Sequence, residues 1–156
     1  MKPRVLVIAG HDPSGGAGIQ ADLEALLSQG CQVATAITAL TVQDNQEVYQ
    51  WYPVDPAITL AQARIVLQQY PIAVIKIGLL GSRSMVTAVR QLLLEYAQIP
   101  VVLDPVLAAD GGTTLAIGDI TQAIRQELLP LTTLLTPNTL ELQALALSVE
   151  GLDRQI

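Results

Sequence analysis

Five apolar residues in an unbroken row, Val5 to Ala9, run directly into Gly10-His11-Asp12. The pattern recurs along the chain. Ala73 to Ile77 ends at Gly78, Val101 to Leu103 at Asp104-Pro105, and Thr132 to Leu135 at Thr136-Pro137-Asn138. Val33 to Leu40, rich in Thr, Ile and Ala, leads to Gln43. A continuous apolar run too short for a helix suits a strand buried on both faces. Between the runs lie segments of helical character. One covers Ile19 to Leu27 and is stopped by Gly30; another starts at Asp55-Pro56, with proline in the first helical position, and runs to about Gln69. A third, capped by Ser82 or Ser84, ends near Tyr96, and two more cover Ile117 to Leu128 and Leu140 to Leu147. Val48 to Val54 alternates and carries Tyr49, Trp51 and Tyr52, as an edge strand, flap or oligomer contact would. Strand and helix alternate throughout, which predicts an α/β fold: a mainly parallel sheet with helices on both faces, in one domain over 1–156.

Composition narrows the partners. Hydrophobic residues make up 51% of the chain, mostly aliphatic, with no Phe. The formal net charge is −6, and the eight basic residues are scattered. A phosphate-backbone binder clusters its Lys and Arg, so nucleic acid is not expected. Cys31 is the only cysteine, which excludes an intrachain disulfide or a thiolate metal cluster. It reads as a small packing residue. No stretch of about 18 apolar residues occurs, so no membrane span is expected. The first apolar run breaks at Gly10, too early for a signal-peptide core. The expected location is the cytoplasm.

Asp12, Gln43, Gly78, Asp104 and Asn138 all follow predicted strands. Ligands of open α/β sheets bind outside the carboxyl ends of the strands, so these residues share the edge where a site belongs. The loop Gly10-His11-Asp12-Pro13-Ser14-Gly15-Gly16-Ala17-Gly18 is the strongest local feature, and it precedes a helix N-terminus. It lacks the Gly-Lys-Ser/Thr of a Walker A loop. Gly16-Ala17-Gly18-Ile19-Gln20-Ala21 matches a dinucleotide fingerprint, but it begins seven residues after Ala9 rather than at the strand end. Read alone, the loop is a phosphate cradle or a glycine-eased connection. His11, the only histidine, has no visible partner for base catalysis and reads as a polar residue at the pocket edge.

Residues Gly10 to Asp22 together resemble the signature of hydroxymethylpyrimidine (phosphate) kinases, in the ribokinase-like group, with His11 where that family usually has Ser or Thr. Four further segments resemble the family in order: Ala39-Leu40-Thr41-Val42-Gln43, Lys76-Ile77-Gly78-Leu79-Leu80, Leu103-Asp104-Pro105-Val106-Leu107 and Leu135-Thr136-Pro137-Asn138-Thr139-Leu140-Glu141. The resemblance extends to about residue 147. It implies a substrate pocket rather than an ATP cradle at the glycine loop, lined by Gly10, the main chain near Ala17, Leu79 and Val106. Asp22 would hold the hydroxymethyl side, and Gln43 would bond the aminopyrimidine edge; Gln46 is placed outside. The plainer readings are a helix-favouring acid at Asp22 and a loop amide at Gln43. Asn138 and Glu141 match the Asn-x-x-Glu element associated with Mg²⁺, Glu141 acting through water; they equally suit a helix capping box. Asp104 would help place phosphate and metal, or simply end its strand. ATP and Mg²⁺ are the implied cofactors, a small pyrimidine the substrate, and homodimerisation a family tendency.

The family's later Lys-Gly-Gly strand and Gly-Thr-Gly-Cys anion hole, with its catalytic residue, have no counterpart in these residues. No catalytic residue is therefore assigned, the domain reads as incomplete, and the chain by itself is expected to transfer no phosphate. The alternatives are a non-catalytic pyrimidine-binding relative and a pyridoxal-kinase-like enzyme. Gln43 and the complete Asp-Pro-Ser-Gly-Gly-Ala-Gly loop favour the pyrimidine kinase over the latter.

Overall fold

The computed structural model describes residues 2–44, 47–107 and 117–146. Among these residues, six strands form one sheet: β1 (Arg4–His11), β2 (Gln32–Gln43), β3 (Val48–Pro53), β4 (Val74–Ile77), β5 (Val101–Leu103) and β6 (Leu134–Leu135). Their spatial order is β3-β2-β1-β4-β5-β6. Every pairing is parallel except β2 with β3, where the alternating Val48 segment returns as an antiparallel edge strand.

Among the described residues, α1 (Gly18–Ser28), α2 (Pro56–Gln69), α3 (Arg83–Glu95) and α4 (Ile117–Ala123) lie between strands, and α5 (Thr139–Ala146) follows β6. A π-helical turn over Ile124–Leu128 and a 3-10 turn over Leu129–Leu131 prolong α4. The helix boundaries follow local chemistry. Asp55 caps α2 by accepting from the Ala57 N–H at 2.8 Å, with Pro56 at the first helical position. Ser82, rather than Ser84, caps α3 by accepting from the Met85 N–H at 3.1 Å.

The chain winds outward in both directions from the centre. β1 passes through α1 to β2 on one side, and the later crossovers advance from β4 to β6 on the other. Crossovers of one hand that travel in opposite directions place their helices on opposite faces. The core divides accordingly. Val5, Val7 and Ala9 pack with Ile19, Leu23 and Leu26 of α1. Leu6 and Ile8, on the other side of the same strand, join Ile75, Ile77, Leu103 and the buried residues of α2 and α3. This is the two-faced burial that a continuous apolar run requires. Among the described helices α1 stands on one face, while α2, α3, α4 and α5 contribute to the larger core on the other.

Candidate functional site

The sheet order reverses between β1 and β4, and open parallel sheets form their ligand crevice at such a switch point. A cavity of about 580 Å³ lies there, over the carboxyl edge of the strands. Its size suits a small organic ligand.

The glycine loop forms one wall, and Asp12 organises it. This carboxylate is only 3% exposed. Its Oδ1 accepts from the Ser14 N–H and from the Ser14 hydroxyl, each at 2.8 Å, and its Oδ2 accepts from the Ala17 N–H at 2.9 Å. Gly18, which opens α1, has φ of +59°, and a Cβ there would collide with the Gly10 carbonyl oxygen. The loop can therefore fold back against the β1 end only with glycine at this position. Gly10 is buried, and its missing Cβ would sit 3.1 Å from Leu79 Cδ2.

The carboxyl ends of β2, β4 and β5 supply the remaining walls. Gln43 closes β2 at a register shift opposite Val48, and its side chain makes no hydrogen bond among the described residues. Thr41, two residues earlier, donates its hydroxyl to the His11 carbonyl at 2.9 Å and ties the β2 end to the loop. Gly78 continues the β4 ladder by donating its N–H to the Ile8 carbonyl at 2.9 Å, and Asp104 does the same to Ile77 at 2.8 Å. These bonds seat Leu79, Asp104 and Val106 on the cavity rim.

Gly10, Ala17, Asp22, Gln43, Leu79 and Val106 all line the cavity, and so do His11 and Asp104. The Ala17 N–H, however, is taken by Asp12. Asn138 and Glu141 do not line it. They form a reciprocal capping box at the start of α5: Asn138 N–H donates to Glu141 Oε2 at 2.8 Å, and Glu141 N–H to Asn138 Oδ1 at 2.9 Å. Glu141 Oε1 remains available, a hard oxygen of the kind Mg²⁺ takes through water. Gln46 and Leu147 lie outside the described residues.

Lys76 is the site residue that sequence reasoning passed over. It interrupts the apolar Val74–Ile77 strand, and its ammonium reaches Asp22 Oδ2 at 2.8 Å and Asp104 Oδ2 at 3.4 Å. The available signal was a lone charge inside a buried strand, which needs a partner.

A mainly parallel sheet with a crevice at its switch point defines an α/β domain of the class that binds ligands at the carboxyl edge of its strands. The model of the phosphomethylpyrimidine kinase family matches residues 12–154, and the chain belongs to that family. It is 40% identical to the hydroxymethylpyrimidine/phosphomethylpyrimidine kinase of Haemophilus influenzae over 142 residues, which are 91% of this chain and 53% of that protein. The chain thus spans about half the length of that kinase, and likewise of its counterpart from Escherichia coli, which is 41% identical. The crystal structure of phosphomethylpyrimidine kinase from Clostridium difficile superposes with a TM-score of 0.83 at 30% identity, over 92% of this chain and 64% of that one. The ADP complex of Bacillus subtilis pyridoxal kinase does so with the same TM-score at 32% identity, over 93% of this chain and 55% of that one. The fold is therefore ribokinase-like, as expected. No helix among the described residues is long and apolar enough to cross a membrane.

Proposed function

We propose that these residues form the pyrimidine-binding part of a cytoplasmic, ATP-dependent kinase. It would phosphorylate 4-amino-5-hydroxymethyl-2-methylpyrimidine and its phosphate for thiamine biosynthesis. The observation that carries this reading is the switch-point cavity, lined by the unengaged Gln43 amide and the Asp22 carboxylate. An amide offers a donor and an acceptor side by side, the complement of an amino group next to a ring nitrogen. Asp22 accepts from the hydroxymethyl group, while Leu79 and Val106 provide apolar surface for the ring. Mg²⁺, when bound with the nucleotide, supplies charge neutralisation at the phosphates, and Glu141 would hold it through water beside the Asp104 edge.

Calorimetric titration of the chain with hydroxymethylpyrimidine tests the assignment. Gln43→Leu leaves the amino edge of the ligand unpaired, worth roughly 1–3 kcal/mol, so affinity falls about ten- to a hundredfold. Gln69→Leu, on the exposed end of α2, is the control and leaves binding unchanged. Equal losses in the two variants would remove Gln43 from the site. Tighter binding of pyridoxal than of the pyrimidine would replace the substrate assignment altogether.

A further inference from the structure

The geometry points to Lys76 as a positioning residue that orients the Asp22 carboxylate and so gives the pocket its preference for a ligand hydroxyl. This rests on the pyrimidine reading and goes beyond it, to a residue of the cavity wall that acts through the two carboxylates it holds.

Three observations converge. First, Lys76 stands in the middle of a four-residue strand whose other members are apolar, and its side chain is only 18% exposed. An ammonium held in such a place needs compensation. Second, the compensation comes from two carboxylates on separate elements, Asp22 in α1 and Asp104 after β5, and both line the cavity. A pair serving stability alone gains little over apolar packing, because desolvation offsets the attraction. Here one cation draws together two acidic groups that would otherwise repel each other across the mouth of the pocket. Third, space is kept for it. A Cβ on Gly78 would stand 3.1 Å from Lys76 Nζ and 3.0 Å from Ala9 Cβ.

The bonding is selective. Lys76 engages Asp22 through Oδ2, and Oδ1 makes no hydrogen bond among the described residues. One oxygen is anchored and the other is left to accept from a hydroxyl. Anchoring also limits the rotation of Asp22, so less ordering remains to be done when a ligand binds.

The test compares two ligands that differ by one hydroxyl: 4-amino-5-hydroxymethyl-2-methylpyrimidine and 4-amino-2,5-dimethylpyrimidine. Each is titrated into the full chain and its variants, with thermal unfolding as the check on folding. The unsubstituted chain prefers the hydroxymethyl ligand. Lys76→Met lowers its affinity for that ligand about tenfold, equivalent to 1.4 kcal/mol, and leaves the dimethyl ligand within about twofold, since that ligand makes no use of Asp22. Lys76→Arg, which keeps a donor and the charge, restores part of the preference. Lys76→Gln, which removes the charge but keeps a polar head, reduces the same ratio and decides the matter should Lys76→Met fail to fold. A retained hydroxyl preference in Lys76→Met, or equal weakening of both ligands, overturns the role of Lys76 while leaving the pyrimidine site standing. Absence of any hydroxyl preference in the unsubstituted chain overturns the pyrimidine reading and this inference with it.

Discussion

Asp12 lines the cavity, but both of its carboxylate oxygens are engaged by the glycine loop. Its two carboxylate oxygens hold Ser14 and Ala17, so residues 12–17 close into one compact turn. Replacing it by Ala strands those N–H groups, at roughly 1–3 kcal/mol each when buried. Asp12→Ala should lower the unfolding free energy by about 2 kcal/mol and weaken pyrimidine binding; chemical denaturation and titration of the same sample measure both. Gly18→Ala should be at least as damaging, since a left-handed backbone costs a side chain roughly 1–2 kcal/mol before the collision with the Gly10 carbonyl is counted. Pro13-Ser14-Gly15-Gly16 announces a loop in the sequence. That Asp12 ties it shut does not show there, because its Oδ2 bond spans five residues and depends on the final turn geometry.

At the scale of elements, α2 and α3 are held together on the sheet by a bidentate pair. Arg64 Nε and a terminal nitrogen reach the two Glu95 oxygens at 3.1 and 2.6 Å. The hydrogen bond to Arg64 holds the Glu95 carboxyl below its usual range. A carboxyl whose folded value is depressed adds stability above its unfolded value and loses it as pH falls through the folded one. Arg64→Ala should therefore cost little at neutral pH, where both groups are solvated, and nothing once Glu95 is protonated. Thermal unfolding of both proteins across the acid range, at low and high salt, reads the closing gap. The Asp55 cap of α2 is a local feature legible from Asp-Pro alone; Asp55→Ala should cost about 1 kcal/mol in denaturant unfolding. The β2–β3 ribbon is different. Leu40 and Tyr52 pair across it and are 46% and 54% exposed, and neither residue's type told edge strand from flap.

For the whole molecule, ligand binding and folding are one equilibrium. Hydroxymethylpyrimidine at a hundred times its dissociation constant should stabilise the chain by about 2.7 kcal/mol and raise its melting temperature by about 5–10 °C. Gln43→Leu should remove about half or more of that rise at the same ligand concentration, as differential scanning fluorimetry would record. The order of strands and helices followed from the sequence by itself, because continuous apolar runs and capped helical segments are local patterns that burial on two faces imposes. So did part of the cavity lining: Asp12, Gln43, Gly78 and Asp104 each close or follow a parallel strand and reach the same edge. The bond between Lys76, Asp22 and Asp104 was decided only by tertiary structure. It joins residues 54 and 28 positions apart, and no local pattern encodes which of several acids a strand-borne lysine will meet. The capping box of Asn138 and Glu141 shows the converse. Its spacing was plain in the sequence, yet its place outside the cavity lining depended on how the short β6 strand ends beside β5.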